Sequence, residues 1–245
     1  MTDLFAHRGA SFDCPENSLE AFLEAKNQQA DGVELDVRRT RDRVLVVCHD
    51  PLTPSGIEIA DTSYLQIRHE VVTLEQALAA CSPLMVNVEI KNSPTEPGFD
   101  DSATFASAVV AEIANATMTE RVIISSFDLD TINRVRAIPE APATGFLVID
   151  PCTPHDAIDQ AVASGHSALH PFVLCVTQEW VARAHDAGLA TNVWTVDDLE
   201  KIAELQSWGV DTIITNRPAL ARTALVLPRP CVVCVEAQRA PRAHQ

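Results

Sequence analysis

Two acidic residues, Glu34 and Asp36, lie two positions apart inside the apolar segment 32–37. Because side chains alternate along a β-strand, both carboxylates would face one side of a sheet, and Leu35 would face the other. Neighbouring carboxylates in an apolar strand repel each other and are costly to bury. A divalent cation between them would offset both costs, so this spacing predicts a metal site.

Glu89 supplies a third carboxylate, because it also lies inside an apolar segment, 84–90. Three oxygen ligands favour Mg²⁺ or Ca²⁺, whereas zinc more often takes His or Cys ligands. His7 and His49 each follow an apolar segment directly. A single histidine is usually structural, but imidazole titrates near neutral pH, so two histidines at one site could act as a general acid and a general base.

Arg8 and Lys91 are candidate anion ligands, because each lies within two positions of one of these residues. They could simply neutralise the carboxylates, or they could bind the oxygens of a phosphate group. Trp194 lies near the end of a later predicted strand, 190–195. Its ring could belong to the core or line a substrate pocket.

Composition excludes several classes of protein. The chain has 245 residues and a formal net charge of -16, and it lacks the clusters of Lys and Arg that nucleic-acid binding requires. No apolar run reaches the roughly 18 residues of a membrane helix, and the first residues do not resemble a signal peptide. The seven irregularly spaced cysteines favour a reduced, cytoplasmic location. Cys231 and Cys234 form half of a zinc or redox signature without a second pair, so we interpret them as part of a basic tail.

Short apolar segments alternate with helical patterns along most of the chain, which is typical of parallel βαβ units. The pattern predicts eight β-strands, at 4–6, 33–37, 84–90, 122–126, 144–149, 167–170, 190–195 and 211–214. Eight is the number that closes a TIM (β/α)₈ barrel. An open doubly wound sheet is the alternative, but no Gly-rich phosphate loop follows any of these strands.

The elements between the strands are predicted from capping and turn residues. Asn17 and Glu20 have the spacing of a helix N-cap and its partner, and Thr73 could cap a helix over 74–81. Residues 51–72 are irregular and are interpreted as a small insertion after the second strand. We therefore predict a single domain over 1–224, with this insertion, and a C-terminal tail at 225–245.

In a TIM barrel the active site lies at the carboxyl ends of the strands. The first strands and the apolar run 44–48 bring seven titratable or charged residues to this rim: His7, Arg8, Glu34, Asp36, His49, Glu89 and Lys91. Later strands end mainly in polar and aromatic residues. This asymmetry places the predicted chemistry on one side of the rim.

The same residues, in this order, resemble the glycerophosphodiester phosphodiesterase family. The resemblance extends from residue 4 to about residue 220, and its motifs are His7-Arg8-Gly9, Pro15-Glu16-Asn17-Ser18, Glu34-Leu35-Asp36-Val37, His49-Asp50, Glu89-Ile90-Lys91, Ser125-Ser126-Phe127, Val193-Trp194-Thr195-Val196 and Gly209-Val210-Asp211-Thr212-Ile213-Ile214-Thr215.

The resemblance implies a TIM barrel that hydrolyses glycerophosphodiesters to sn-glycerol 3-phosphate and an alcohol. It implies a divalent ion bound by the three carboxylates and general acid–base catalysis by His7 and His49. Arg8 and Lys91 would bind the phosphate, and Glu16 would lie near the metal or the substrate glycerol. Metal and cations together would offset the charge of the transition state.

Three features of the sequence depart from the family pattern. Arg43 replaces the usual glycine of an Asp-Gly turn, and the insertion carries Pro54-Ser55-Gly56 where relatives have a different run. Asn216 replaces a common Asp after the last strand, which we interpret as an exchange of capping residues. None of these positions is a predicted metal ligand, catalytic histidine or cation.

Two other functions are compatible with a barrel that carries these residues. A glycosidase would use two of the carboxylates as acid and nucleophile, and its activity would survive a chelator. A non-catalytic binding module would keep the barrel and turn over no phosphodiester. The complete set of catalytic residues favours the phosphodiesterase.

Overall fold

A computed structural model describes residues 2–149 and 154–226. The strands are β1 (Asp3–His7), β2 (Gly32–Arg39), β3 (Leu45–Val47), β4 (Val72–Thr73), β5 (Met85–Ile90), β6 (Val122–Ser126), β7 (Ala143–Val148), β8 (Ala168–Pro171), β9 (Ala190–Val193) and β10 (Thr212–Thr215). The helices are α1 (Leu19–Asn27), α2 (Tyr64–Ile67), α3 (Leu74–Cys81), α4 (Thr104–Asn115), α5 (Leu129–Arg136), α6 (Pro154–Ser164), α7 (Gln178–Asp186), α8 (Leu199–Trp208) and α9 (Pro218–Val226).

Eight of these strands form a closed parallel ring. The order around it is β1, β10, β9, β8, β7, β6, β5 and β2, and pairing of β1 with β2 closes it. Strands β3 and β4 lie outside the ring, where β3 runs antiparallel to the end of β2. The prediction of a (β/α)₈ barrel is confirmed, and the open sheet is excluded.

The apolar core lies between the ring and the surrounding helices. One cluster of buried side chains includes Phe22 of α1, Leu35 of β2 and Ile113 of α4, and a second includes Leu169 of β8 and Ile202 of α8. Fully burying a side chain of this size contributes about 1.5–3 kcal/mol. Leu35 packs outward in this core, which leaves its two acidic neighbours to face the inside of the barrel.

Residues 40–73 form a small excursion with its own apolar centre, in which Val46, Ile59, Ile67 and Val71 are buried together. Arg43, where the family pattern predicts glycine, adopts φ 66°. This is the left-handed conformation that glycine adopts without strain, so the backbone here has a conformation suited to glycine although the residue is Arg. The predicted limits of the domain and its tail stay a prediction, and Cys231 and Cys234 lie outside the described residues.

The prediction of the first helix cap is wrong by one residue. Ser18, not Asn17, is the N-cap of α1, and its hydroxyl accepts the backbone N–H of Ala21. Asn17 has φ 56° and directs its side chain into the barrel. The cap predicted for α3 is confirmed, because the Thr73 hydroxyl accepts the backbone N–H of Gln76.

Among the described residues, every helix is too short or too polar to cross a membrane.

Candidate active site

Glu34, Asp36 and Glu89 meet inside the barrel at the carboxyl ends of β2 and β5. These two strands are neighbours in the ring, and their register pairs Asp36 with Glu89. One oxygen from each carboxylate lies within 4.8 Å of the others, and all three residues are buried. The structure therefore brings together the three predicted metal ligands.

Two cations contact this carboxylate cluster from opposite sides. Arg8 Nε lies 3.3 Å from Asp36 Oδ2, and Lys91 Nζ lies 3.1 Å from Asp36 Oδ1 and 2.6 Å from Glu89 Oε1. Asn17 donates a further hydrogen bond of 2.9 Å from Nδ2 to Asp36 Oδ2. Asp36 is thus the best-compensated carboxylate of the three.

The three carboxylates differ in how easily they ionise. Burial opposes the charge on Asp36, but Lys91 and Arg8 outweigh burial and lower its pKa to about 2. Burial raises the pKa of Glu89 to about 7 although Lys91 opposes this. The pKa of Glu34 lies well above its usual range because of burial, then because of repulsion by Asp36 and Glu89. When all three carboxylates are ionised, the two cations leave an excess negative charge, which a further cation would relieve.

His7 ends β1 and lies beside the cluster, with its Nε2 3.8 Å from Glu34 Oε2. Burial and the nearby Arg8 guanidinium lower its pKa. On the other side of the His7 imidazole, Nδ1 lies 2.7 Å from Asn216 Oδ1. Asn216 follows β10, and our interpretation of this residue as a simple capping exchange missed its contact with His7. Its position at the same rim as the other site residues was the signal that could have identified it.

His49 reaches the site from the segment after β3, outside the ring. Its Nδ1 lies 2.7 Å from Asp50 Oδ1, and its side chain is 35% exposed. Arg38 of β2 fixes the backbone of this segment, because its Nε and Nη2 donate hydrogen bonds of 2.9 and 2.6 Å to the carbonyl oxygen of His49. Sequence reasoning gave Arg38 no role, because its contact depends on the antiparallel pairing of β3 with β2.

Glu16 lies on the far side of Arg8 from the carboxylate cluster. Arg8 Nη1 donates to Glu16 Oε1 at 3.1 Å and to Oε2 at 3.0 Å. Arg8 therefore bridges an exposed carboxylate and the buried Asp36.

Most of these residues line one cavity of about 310 Å³ at the carboxyl ends of the ring strands. Its lining includes the polar side chains His7, Arg8, His49 and Lys91. It also includes the apolar side chains Phe127, Leu147, Ile149 and Trp194. The Trp194 ring is held in place, because its Nε1 donates a hydrogen bond of 2.7 Å to the carbonyl oxygen of His170. The cavity can therefore hold a ligand that has both an anionic group and an apolar part.

Comparison with known proteins agrees with this geometry. A model of the Glycerophosphoryl diester phosphodiesterase family matches residues 7–220. A glycerophosphodiester phosphodiesterase of Caldanaerobacter subterraneus subsp. tengcongensis is 31% identical over 89% of this chain and 95% of its own length. One of Bacillus altitudinis is 28% identical over 89% of this chain and 96% of its own length.

Solved structures have the same fold. A glycerophosphodiester phosphodiesterase of Parabacteroides distasonis is 25% identical, with a TM-score of 0.79 over 91% of this chain and 96% of its own. A phosphodiesterase of Oleispira antarctica, solved with the product sn-glycerol-3-phosphate, is 21% identical, with a TM-score of 0.83 over 92% of this chain and 97% of its own. The chain therefore belongs to the glycerophosphoryl diester phosphodiesterase family, whose enzymes hydrolyse glycerophosphodiesters.

Proposed function

We propose that this enzyme hydrolyses glycerophosphodiesters to sn-glycerol 3-phosphate and an alcohol, with a divalent ion bound by Glu34, Asp36 and Glu89. The observation that carries the proposal is the meeting of three buried carboxylates, within 4.8 Å of one another, with two histidines and two cations at one rim. The Oleispira antarctica relative, solved with sn-glycerol-3-phosphate, supports the choice of product.

The carboxylate cluster fits a hard cation by the chemistry of its donors and by its charge. Carboxylate oxygens are the ligands of Mg²⁺ and Ca²⁺. The pKa of Glu34 is raised first by burial and then by repulsion from Asp36 and Glu89, which Arg8 and Lys91 offset only in part. When bound, the ion supplies positive charge to the phosphoryl oxygens. We propose Mg²⁺ or Ca²⁺ as this ion.

The cations and the cavity walls would bind the substrate. Arg8 and Lys91 would contact the non-bridging phosphate oxygens, because both are cationic and line the cavity. Glu16 holds the Arg8 guanidinium by two hydrogen bonds and would contact the glycerol hydroxyls from beyond it. Trp194 would pack against the apolar part of the substrate.

His7 and His49 would transfer the protons. One imidazole would accept the proton of the attacking oxygen, and the other would donate a proton to the departing alkoxide. Both histidines line the cavity, as the two proposed phosphate ligands Arg8 and Lys91 do. We place this reaction in the cytoplasm, in keeping with the irregular cysteine pattern, and expect no nucleic-acid partner for so acidic a chain.

The other functions considered from the sequence are less well supported. The two carboxyl groups of a glycosidase lie about 5–5.5 Å or about 6.5–9.5 Å apart across a sugar. Here the three carboxylates crowd together, and Asp36 is occupied by Arg8 and Lys91. Membership of an enzyme family argues against a non-catalytic binding module.

The test is release of sn-glycerol 3-phosphate from a panel of glycerophosphodiesters that differ in their alcohol. We expect turnover to stop in EDTA and to return with Mg²⁺ or Ca²⁺. His7→Ala and His49→Ala should each abolish turnover without unfolding the protein. His185→Ala is the matched control, because this histidine lies on α7 and pairs with Asp211 away from the cavity. Full turnover in EDTA, or in both variants, would refute the proposal.

A further inference from the structure

Three side chains form a continuous polar chain along the rim behind His7. His7 Nδ1 lies 2.7 Å from Asn216 Oδ1, and Asn216 Nδ2 donates a hydrogen bond of 2.6 Å to Asp197 Oδ2. His7 ends β1, Asn216 follows β10, and Asp197 follows β9. These three strands are consecutive neighbours in the ring, so the barrel itself aligns the chain of side chains.

The direction of each hydrogen bond follows from Asp197. A carboxylate only accepts hydrogen bonds, and Asp197 Oδ1 already accepts from the backbone N–H of Asn216 and from the Thr215 hydroxyl, both at 2.8 Å. Its Oδ2 must therefore face the amino group of the Asn216 carboxamide. This leaves the carbonyl oxygen of that carboxamide for His7, and the Ser11 hydroxyl donates to the same oxygen at 3.0 Å.

The carboxamide orientation in turn selects one form of the imidazole. Because Asn216 Oδ1 only accepts, the His7 nitrogen that faces it must carry a hydrogen, and that nitrogen is Nδ1. The second ring nitrogen, Nε2, then carries the lone pair in the neutral ring. It lies on the side of Glu34, at the edge of the cavity where the substrate would bind.

We propose that Asn216, held by Asp197, is a positioning residue that fixes His7 as its Nδ1–H tautomer and keeps Nε2 free for proton transfer to or from the substrate. The proton at Nδ1 stays in place throughout, and only Nε2 exchanges a proton with the reacting oxygen. This inference rests on the proposed role of His7. It gives the residue after the last strand a function that a capping residue does not have.

The decisive test exchanges the two polar residues. Asp197→Asn places an amino group where Oδ2 lay, so the Asn216 carboxamide must turn over and present its own amino group to His7. Asn216→Asp alone places two carboxylates side by side. In the double variant D197N/N216D, the new carboxylate at position 216 accepts from His7 and from the new carboxamide at position 197. The oxygen of that carboxamide still accepts from Thr215 and from the backbone.

We expect each single variant to lower kcat by about 10²-fold or more, which is the scale of general acid–base catalysis, with KM little changed. The double variant should recover most of the lost kcat. Nitrogen-15 chemical shifts of the His7 ring supply an independent readout in the wild-type protein. They should report a protonated Nδ1 and an unprotonated Nε2, and the reverse in D197N.

Several outcomes would overturn the inference. They are an unchanged kcat in D197N, a double variant no more active than the single variants, or an Nε2–H tautomer in the wild type. A structural role alone would lower the melting temperature without selective recovery of kcat in the double variant. If His7→Ala and His49→Ala both keep full activity, the proposed function has failed; if His7→Ala loses activity but D197N and N216D do not, the proposed function stands and the positioning role has failed.

Discussion

Replacing Glu34 by Gln should stabilise the cation-free enzyme and remove its stabilisation by a divalent ion. Glu34 is 4% exposed, and burial and two neighbouring carboxylates raise its pKa well above the usual range. Its charged form is therefore unfavourable in the folded state without an added cation. Gln removes the charge but keeps an oxygen that can accept the backbone N–H of Arg8, which now donates to Glu34 Oε2 at 3.0 Å.

The size of the effect follows from binding linkage. An ion present at 100 times its dissociation constant stabilises the folded state by about 2.7 kcal/mol. For a chain of this size, each kcal/mol raises the melting temperature by about 2–4 °C, so the wild type should gain about 5–11 °C. The Glu34→Gln variant should begin at or above the wild-type melting temperature in EDTA and gain little from the ion.

Asp36→Asn is the contrasting variant, because Asp36 contacts Arg8 and Lys91. Its loss removes one partner from each of two partly buried cations, so that Arg8 keeps Glu16 and Lys91 keeps Glu89. Breaking a buried pair costs about 3–5 kcal/mol when the remaining charge has no other partner, so a destabilisation below that range is expected. Glu34→Gln and Asp36→Asn remove the same charge from the same strand. They should nevertheless move the melting temperature in EDTA in opposite directions, because the two cations contact Asp36 whereas burial and neighbouring carboxylates oppose the charge of Glu34.

The assay is thermal denaturation followed by circular dichroism, first in EDTA and then with Mg²⁺ or Ca²⁺ at constant ionic strength. Glu204→Gln is the control, because Glu204 forms an exposed pair with Lys201 on α8 and should behave as the wild type does. If Glu34→Gln melts well below the wild type in EDTA and keeps the full ion-induced gain, the electrostatic reasoning is refuted.

Three further predictions concern the site and the barrel interior. Lys91→Met should tighten divalent-ion binding in a thermal-shift titration, because it removes a positive charge beside Asp36 and Glu89. It should raise KM for the diester, because the same charge is proposed to contact the phosphate. Tighter binding of both the ion and the diester, or weaker binding of both, would contradict the proposed phosphate contact. Gly145→Ala should cost about 1–3 kcal/mol in urea denaturation, because the added Cβ would collide with the His170 ring, and this cost should shrink in a His170→Ala background. Burial lowers the pKa of His170 to about 3. The stability that the neutral ring contributes is therefore complete above about pH 6.5 and falls, by up to about 1.4 kcal/mol per pH unit, as the pH decreases towards 3. A His170→Gln variant should lack this loss of stability when the two proteins are compared at pH 7 and pH 5.

The barrel could be predicted because its evidence is local and repeated. Each strand is a short apolar segment followed by a helical pattern, and eight such units have a single common closed arrangement. Parallel strands of a barrel end at one rim. This rule predicted that one site would contain Glu34, Asp36 and Glu89. The register that pairs Asp36 with Glu89 was not predictable, because two further strands and two helices separate β2 from β5 in the chain.

Asn17 shows where local reasoning fails. Asn and Ser are both good N-caps, and they occupy adjacent positions before α1, so the sequence alone favours neither. The choice is made by a tertiary contact, because Asn17 Nδ2 donates to the buried Asp36. A carboxylate at 1% exposure gains more from this hydrogen bond than a helix end gains from a second capping residue.

The role of Asn216 was not predicted for a related reason, because the hydrogen bonds of a carboxamide depend on which residues surround it in the fold. The family pattern predicts Asp after the last strand, and Asn differs from it only by an amino group in place of one carboxylate oxygen. In this barrel, however, Asp197 Oδ2 lies 2.6 Å from Asn216 Nδ2, so a second carboxylate at that position would face Asp197 with no proton between them. Of the residues at 197 and 216, one must therefore be acidic and the other must donate a hydrogen bond to it. This pairing determines which nitrogen of His7 faces the substrate with its lone pair.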